Sequence, residues 1–204
     1  HLPDRAFHNR TSLVSVACPR SLASIGSGAF ERCSSLSTID LPASLVAINN
    51  YAFRGCSALP SVTLPAGITS IDGAFYGCSS LARITLPAGL TSIGSSAFYG
   101  CEALGSVTFP AGLTSIGNQA FDRCCSLVSV TLPATLTSIG RHAFYYCRSL
   151  ATAIFPAGLT SIGEQAFFGS TLARVTVPTT AAVGFSAFPP ATTVLRLPPA
   201  TMRW

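Results

Sequence analysis

Lysine is absent from this 204-residue sequence, and charged residues of all kinds make up only 9% of it, whereas an ordinary soluble domain carries about 25%. Twelve arginines and seven acidic residues leave a net charge of +5. So few charges argue against a highly charged disordered segment and against a dense basic surface for nucleic acid. No apolar run approaches the ~20 residues that a membrane-spanning helix needs. We therefore predict no nucleic-acid partner and no transmembrane segment, and we leave open a membrane-associated assembly.

The signatures of common active sites and metal centres are also missing. The three histidines, His1, His8 and His142, are widely separated in the sequence, and no G-x-S-x-G, H-E-x-x-H, phosphate-binding loop or paired C-x₂-C spacing occurs. The carboxylates fall in different parts of the chain, so they form no evident acid–base pair. We expect no enzymatic activity, no metal site and no cofactor.

What the chain does contain is one repeat, marked by a recurring Ala-Phe pair. The repeat phenylalanines are Phe7, Phe30, Phe53, Phe75, Phe98, Phe121, Phe144, Phe167 and Phe188. Successive ones lie 21 to 23 residues apart, a period typical of solenoids, in which each turn buries its apolar face against its neighbours. We expect one elongated domain over residues 1–204, with about nine coils of 23 residues and irregular C-terminal coils over 178–204.

Each repeat holds two short alternating stretches that predict β-strands, such as Ser-Val-Thr-Leu at 61–64 and Leu-Thr-Ser-Ile at 90–93. A proline follows the first stretch in every turn and should end that strand. Glycine follows the second in four turns, which indicates either a left-handed backbone or a close approach of two chains; Asn49 and Asp72 replace it elsewhere, as residues that tolerate the left-handed region. The predicted core positions of one turn are Leu59, Val62, Leu64, Ile68, Ile71 and Phe75.

The repeat resembles the BspA-like leucine-rich repeat, also called the Treponema pallidum type. The residues that carry the likeness are clearest in "LTSIGSSAFYGCEALGSVTF", residues 90–109, which Pro110 follows. The likeness covers nearly the whole chain and weakens in the first half-turn and after Val177. It implies a right-handed leucine-rich-repeat solenoid, mainly β with short turns or 3-10 segments and a parallel sheet on its concave side. It also implies roles in surface adhesion, extracellular-matrix binding and protein recognition, and it supplies no catalytic residues.

Six cysteines stand three residues after the repeat phenylalanine, at positions 33, 56, 78, 101, 124 and 147. In stacked coils their Cβ atoms would lie ~4.8 Å apart with parallel bonds, whereas a disulfide wants converging Cβ atoms about 3.8 Å apart. We expect buried, reduced thiols that act as small apolar fillers. Cys18 takes a strand position of the core, and Cys125, which alone lies off this register, is expected to be exposed and to react first.

Two surfaces compete as binding sites. The outward positions of the first strands form a hydroxyl-rich surface, which we call the Ser/Thr face: Ser61, Thr63, Arg83, Thr85, Ser106, Thr108, Ser129, Thr131, Thr152, Arg174 and Thr176. Stacked hydroxyls stabilise a sheet by themselves. The same face could also form a neutral groove for an extended polypeptide or a glycan.

The second surface, which we call the turn edge, follows the repeat phenylalanine and combines aromatic and arginine side chains. Its candidate partner-binding residues are Tyr76, Tyr99, Tyr145, Tyr146, Phe168, Arg54, Arg123 and Arg148, and Asp122 interrupts the aromatic row. Tyrosine and arginine are enriched in interface hot spots. Ring stacking between coils would select aromatic residues equally well, so the sequence leaves both interpretations open.

We predict a non-enzymatic protein–protein interaction or scaffold module, a subunit of a larger assembly, because the surface carries so little charge. A secreted or cell-surface adhesin that binds matrix or host proteins is the alternative, and the sequence leaves the compartment open. Neither end of the repeat array has a polar capping turn, so we expect at least one end to be covered by further residues of the chain or by a partner protein. Trp204 is the expected anchor at the C-terminal end.

Overall fold

The fold is a parallel β-solenoid, seen here in a computed structural model that describes residues 1–198. No helix occurs in these residues. Sixteen short strands alternate along the described chain: β1 (Ser15–Ala17), β2 (Ser24–Ile25), β3 (Thr38–Asp40), β4 (Ala47–Ile48), β5 (Ser61–Thr63), β6 (Ser70–Ile71), β7 (Arg83–Thr85), β8 (Ser92–Ile93), β9 (Ser115–Ile116), β10 (Ser129–Thr131), β11 (Ser138–Ile139), β12 (Thr152–Ile154), β13 (Ser161–Ile162), β14 (Arg174–Pro178), β15 (Ala182–Val183) and β16 (Thr193–Leu197).

The two strands of each turn build two stacks. From β6 onward the second strands form a parallel six-stranded sheet in the order β15-β13-β11-β9-β8-β6, and the earlier β2 and β4 form a separate parallel pair. The two residues of each strand in the sheet, Ser-Ile in most turns and Ala-Val in β15, are in register with those of the next turn. The first strands pair in twos, as β1-β3, β5-β7, β10-β12 and β14-β16. Residues 106–108 have the same Ser-Val-Thr sequence but no strand pairing. The expectation of two strands per turn is thus confirmed in nearly every turn.

The solenoid makes about eight turns, so the expected count of about nine is slightly too high. The reason is geometric, because nine repeat phenylalanines bound only eight complete turns, and the chain at either end adds a partial one. At the N-terminal end, Leu2 makes a single parallel bridge to Ile25, in the position of the repeat isoleucine.

A column of stacked phenylalanine rings fills the interior. Successive rings lie 5.0 to 5.6 Å apart between centroids, from Phe7 to Phe188. The seven between Phe30 and Phe167 have no exposed surface. The predicted core positions of the turn that contains Phe75 are all buried as well. Because no single turn could enclose this apolar surface, each turn depends on its neighbours for stability.

Proline marks the first corner of each turn and glycine marks the second corner in most turns. The carbonyl of the repeat proline accepts a hydrogen bond from the third residue after it, as from Leu90 to Pro87 and from Leu113 to Pro110, which turns the chain out of the strand. At the second corner a Cβ on Gly117 would lie 2.8 Å from the backbone of Gly94, and one on Gly140 would lie 2.6 Å from that of Gly117. Close approach is therefore the reason for glycine here.

The left-handed backbone conformation, with positive φ, occurs at other positions of the turn than the second corner. The corner glycines, Asn49 and Asp72 all lack a positive φ, so the left-handed explanation of those positions is wrong. Positive φ occurs instead at two positions of each turn, two residues before and two residues after the repeat phenylalanine. Those after it are Asn9, Arg32, Gly55, Gly77, Gly100, Arg123, Tyr146 and Gly169, with φ between 53° and 79°.

The six register cysteines are buried, as predicted. Each thiol donates a weak hydrogen bond to the carbonyl of the phenylalanine one turn back, with Sγ to O distances of 3.1 to 3.3 Å. All eight thiols are free. Cys18 is only half-buried at the margin of the core, because it belongs to the first turn, which has a neighbour on one side alone.

Candidate functional site

The turn edge is built by the backbone around the repeat phenylalanine. The backbone N–H of each repeat phenylalanine donates a hydrogen bond to the carbonyl of the repeat alanine in the next turn, as from Phe98 to Ala120 at 2.8 Å and from Phe121 to Ala143 at 2.7 Å. The phenylalanine ring points into the core, so the residue after it lies on the outer side of the turn, next to its counterparts in the turns above and below. Eight such residues form one column: His8, Glu31, Arg54, Tyr76, Tyr99, Asp122, Tyr145 and Phe168. All of these residues are partly exposed except Glu31 and Asp122, which are buried.

The first half of this column is an ion pair continued by stacked rings. The Arg54 guanidinium donates to the Glu31 carboxylate at 2.9 Å, and His8 lies 3.3 Å from the same carboxylate. Arg54 also lies over the Tyr76 ring, 5.2 Å from its centroid. Tyr76 and Tyr99 stack at 4.5 Å. The charges of Arg54 and Glu31 are thus paired with each other, whereas His8 Nδ1 is buried without a hydrogen-bond partner in the part of the chain that the structure describes.

Asp122 breaks the column in its centre. Its side chain is only 3% exposed, and its Oδ1 has no hydrogen-bond partner within the described residues. Burial raises the pKa of this carboxyl to about 6, although Arg123, His142 and a hydrogen bond from Gln119 act in the opposite direction. Burial also raises the pKa of Tyr99, and the nearby Asp122 charge adds to that effect.

The second half of the edge surrounds a depression. Tyr145 stacks on Phe168 at 5.8 Å and meets Tyr146 edge-on at 4.5 Å. The guanidinium of Arg148 lies over the Tyr146 ring at 5.5 Å, and that of Arg123 lies over the Tyr99 ring at 6.0 Å. These contacts hold the side chains around a surface cavity of about 560 Å³, lined by Glu102, Arg123, Cys125, Tyr145, Tyr146 and Arg148. We call it the edge cavity.

Four of the residues singled out from the sequence, Tyr145, Tyr146, Arg123 and Arg148, therefore line one cavity. Phe168 stacks beside it. The other candidates of the turn edge lie in the first half of the column, and Trp204 lies outside the described residues. Aromatic rings do stack between coils at this edge, and Arg123 and Arg148 pack on tyrosine rings but form no ion pair among the residues that the structure describes.

Sequence reasoning missed several residues of the turn edge. Tyr51 and His142 lie two residues before the repeat phenylalanine, and each contacts an edge tyrosine, Tyr76 and Tyr145 respectively. Their positive φ, 59° and 56°, turns them toward this edge. Glu102 and Cys125 follow the register cysteines in successive turns, so an alignment of the repeats by their cysteines could have placed them there.

The Ser/Thr face is exposed at every position expected from the sequence. Two depressions lie on it, of about 580 Å³ between residues 37 and 66 and of about 360 Å³ between residues 84 and 111. Their linings are mostly hydroxyl, proline and aliphatic groups, and Asp40 is the charged side chain among them. The depressions on this face thus have fewer charged and aromatic side chains for recognition than the cavity of the turn edge does.

The part of the chain covered by the structure holds no group of three or more histidine, cysteine or acidic side chains placed to bind a metal ion. Residues 1–198 also contain no helix that could span a bilayer.

Residues 1–74 and 72–193 match the BspA type leucine rich repeat region, in six copies. The chain belongs to this family. The resemblance noted in the repeat is thereby confirmed, and the leucine-rich-repeat architecture supports a protein-interaction module. None of the curated protein sequences matches the chain.

Solved structures of bacterial leucine-rich-repeat proteins share the fold. A protein from Bacteroides ovatus has 26% identity and a TM-score of 0.67, over 90% of this chain and 60% of its own. The Treponema pallidum leucine rich repeat protein has 30% identity and a TM-score of 0.61, over 89% of this chain and 76% of its own. A leucine rich cell surface protein from Faecalibacterium prausnitzii has 26% identity and a TM-score of 0.50, over 99% and 77%. This chain therefore spans well under the full length of these relatives.

Proposed function

We propose that this solenoid is a non-enzymatic recognition module that docks a protein partner on its turn edge, at the edge cavity. The observation that carries the proposal is the convergence of two tyrosines and two arginines around that cavity. Such side chains dominate the energetics of protein interfaces when they surround a well-formed pocket. No chemical step is part of this function.

Rigidity supports the same proposal. The backbone of each edge turn is hydrogen-bonded to the next, as from Arg123 to Tyr145 at 2.8 Å and from Tyr146 to Phe168 at 2.8 Å. The edge side chains are further held by ring and cation–π contacts. A surface that is ordered before binding loses little conformational entropy when it docks.

Within this function, we favour a scaffold subunit of a larger protein assembly, because the chain carries so little charge on its surface. A cell-surface adhesin is the second candidate. It is favoured by one specific observation, the likeness to the Faecalibacterium prausnitzii leucine rich cell surface protein.

Site-specific photo-crosslinking tests which surface binds. A photoreactive phenylalanine analogue replaces Tyr146 in the edge cavity or, as the matched control, Thr131 on the Ser/Thr face, in the cells that make the protein. We expect one defined protein to be captured at position 146 and far less of it at position 131. Capture of that protein mainly at position 131 would overturn the proposal.

The captured protein then allows a quantitative test. With purified components, Tyr146→Ala should weaken binding by about tenfold or more, whereas Thr131→Ala should leave the affinity within about twofold. An assembly subunit should co-purify with its partner in stable proportion, and an adhesin should be found on intact cells by surface labelling.

A further inference from the structure

The arginines of the edge cavity differ from the other edge arginine, Arg54, in their pairing. Arg54 is engaged by Glu31 at 2.9 Å. Arg123 and Arg148 are exposed, and neither forms an ion pair within residues 1–198. Each lies over a tyrosine ring instead. A guanidinium stacked on a ring keeps its N–H donors available along its edge, in the planar fork that matches a carboxylate.

The backbone at the cavity is strained at two of the residues that line it. Two residues after the repeat phenylalanine, four turns use glycine for the left-handed conformation. The other four place a residue with a Cβ there: Asn9 and Arg32 in the first two turns, and Arg123 and Tyr146, with φ of 59° and 53°, in the two consecutive turns at the cavity. The left-handed region is unfavourable for residues with a Cβ, and residues held in it cluster at binding sites. At the cavity this position therefore carries a guanidinium and a phenol ring, where four other turns carry no side chain.

The remaining lining defines what the cavity can accept. Tyr145 and Tyr146 supply aromatic walls, and Glu102 is the one acidic side chain that lines the cavity. Two arginines against one glutamate favour an anionic group over a cationic one. A cavity with only one net positive charge does not suit a polyanion such as a nucleic acid or a sulfated glycan, which requires many cationic contacts.

We propose that the edge cavity binds an acidic segment of the partner protein, with a glutamate or aspartate carboxylate at Arg123 or Arg148 and an adjacent apolar side chain against Tyr145 and Tyr146. This inference rests on the proposed function and specifies the chemistry of the partner. The cavity volume of about 560 Å³ has room for only a few side chains, so the recognised element is short.

Peptide binding tests this chemistry without the natural partner. The probe is a fluorescein-labelled peptide, Gly-Ser-Glu-Leu-Glu-Leu-Ser-Gly, measured by fluorescence anisotropy against the 204-residue chain. We expect saturable binding, and about tenfold weaker binding of the counterpart with glutamine in place of glutamate. The double variant Arg123→Gln, Arg148→Gln should lose about tenfold or more of the affinity.

The matched control removes the same charge from the other surface. Arg83→Gln with Arg174→Gln alters two exposed arginines of the Ser/Thr face and should leave the affinity within about twofold. Circular dichroism and the unfolding midpoint verify that both double variants remain folded. Equal losses from the two double variants, equal binding of the glutamine peptide, or no binding at about 1 mM would each overturn the proposal.

A heparin hexasaccharide serves as a competitor of a different class. It should not displace the peptide at equal charge concentration, and displacement that depends on Arg123 and Arg148 would show that the cavity takes sulfated glycans instead. If photo-crosslinking captures a protein at position 146 while the acidic peptide fails to bind, the recognition function stands and the proposed chemistry is wrong.

Discussion

The burial and reactivity of a residue in this solenoid depend on its position in the repeat, and the cysteines show this most clearly. Burial raises the pKa of the register thiols, among them Cys78 and Cys101. Since the thiolate is the reactive form, these side chains should be chemically inert. Cys125 differs, because it is half-buried and lines the edge cavity.

Alkylation should therefore proceed in a defined order. We predict that iodoacetamide modifies Cys125 first, before the half-buried Cys18, whose pKa is raised by burial and by Asp40. The six register cysteines should react only on unfolding. Time-resolved peptide mapping by mass spectrometry measures the order, and non-reducing maps report any bridges. Modification of Cys101 as fast as Cys125, or a disulfide between neighbouring coils, would contradict this account.

The buried carboxyl of Asp122 should make stability depend on pH. Its pKa is raised to about 6 by burial, while an unfolded aspartate ionises near 3.9. The folded state thus holds the proton more tightly, so the stabilising contribution is fully present below about pH 4 and is lost as the pH rises through about 6. Denaturant titrations from pH 4 to 7 should show the free energy of unfolding falling across this window.

Asp122→Asn isolates that effect because asparagine does not titrate. We expect this variant to gain stability relative to the parent protein as the pH rises from 4 to 7, by about 1–3 kcal/mol, the order set by the difference between the folded and unfolded pKa. Parallel pH profiles for the two proteins would show that Asp122 does not titrate in this range in the folded state.

Arg123→Gly separates stability from binding at one residue. Glycine removes the left-handed strain at this position but makes the unfolded chain more flexible, so the free energy of unfolding should change by less than about 1 kcal/mol. Affinity for the acidic peptide should nevertheless fall, because the guanidinium is gone. Calorimetric or denaturant unfolding measures the first effect and anisotropy the second. A large loss of stability would mean that Arg123 is a structural residue.

At the scale of elements, the phenylalanine column joins the turns. Phe98 is fully buried and stacks on Phe75 at 5.6 Å and on Phe121 at 5.2 Å. A short strand pair contributes little by itself, so the ring column and the apolar positions beside it provide most of the cohesion between turns.

Phe98→Ala should accordingly lower the free energy of unfolding by about 3–5 kcal/mol, from lost burial and the cavity left behind. Phe185→Ala is the matched control, because this phenylalanine is 79% exposed, and it should change stability by less than about 0.5 kcal/mol. Urea denaturation followed by circular dichroism compares the two variants. A loss below about 1 kcal/mol for Phe98→Ala would contradict the stacked core.

The elements that repeat could be predicted from the sequence, and those that do not repeat could not. The strands, the core positions and the buried cysteines recur in nearly every turn, so one period defines them all. Asp122 occupies a column position that is partly exposed in most other turns, so its burial does not follow from the period, and the edge cavity depends on side chains from three turns. Glycine at the second corner was ambiguous because close approach and positive φ select the same residue, and only coordinates distinguish them.

At the scale of the whole molecule, we propose that residues 1–204 form a single domain, since the ring column runs without a break from Phe7 to Phe188. The ends of the described solenoid are apolar. An end depression of about 250 Å³ is lined by Leu2, Phe7 and Val16 among others, and β16 leaves Leu195 and Leu197 exposed at 43% and 56%.

These apolar ends should make the 204-residue polypeptide self-associate when it is isolated. We predict that sedimentation velocity shows larger species growing with concentration, and that Leu195→Glu with Leu197→Glu reduces them. A monomer that persists at high concentration would remove the expectation that an end needs a cover.

The central claim is that the turn edge, rather than the Ser/Thr face, meets the partner, and hydroxyl-radical footprinting of the complex with the crosslinked partner tests it most directly. Tyr145 and Tyr146 lie at the edge cavity, and Ile154 on β12 is 55% exposed and reports on the side of the first strands. We predict that the partner strongly reduces oxidation of both tyrosines and leaves Ile154 unchanged. Protection of Ile154 with the tyrosines still oxidised at the rate of the free protein would contradict the account.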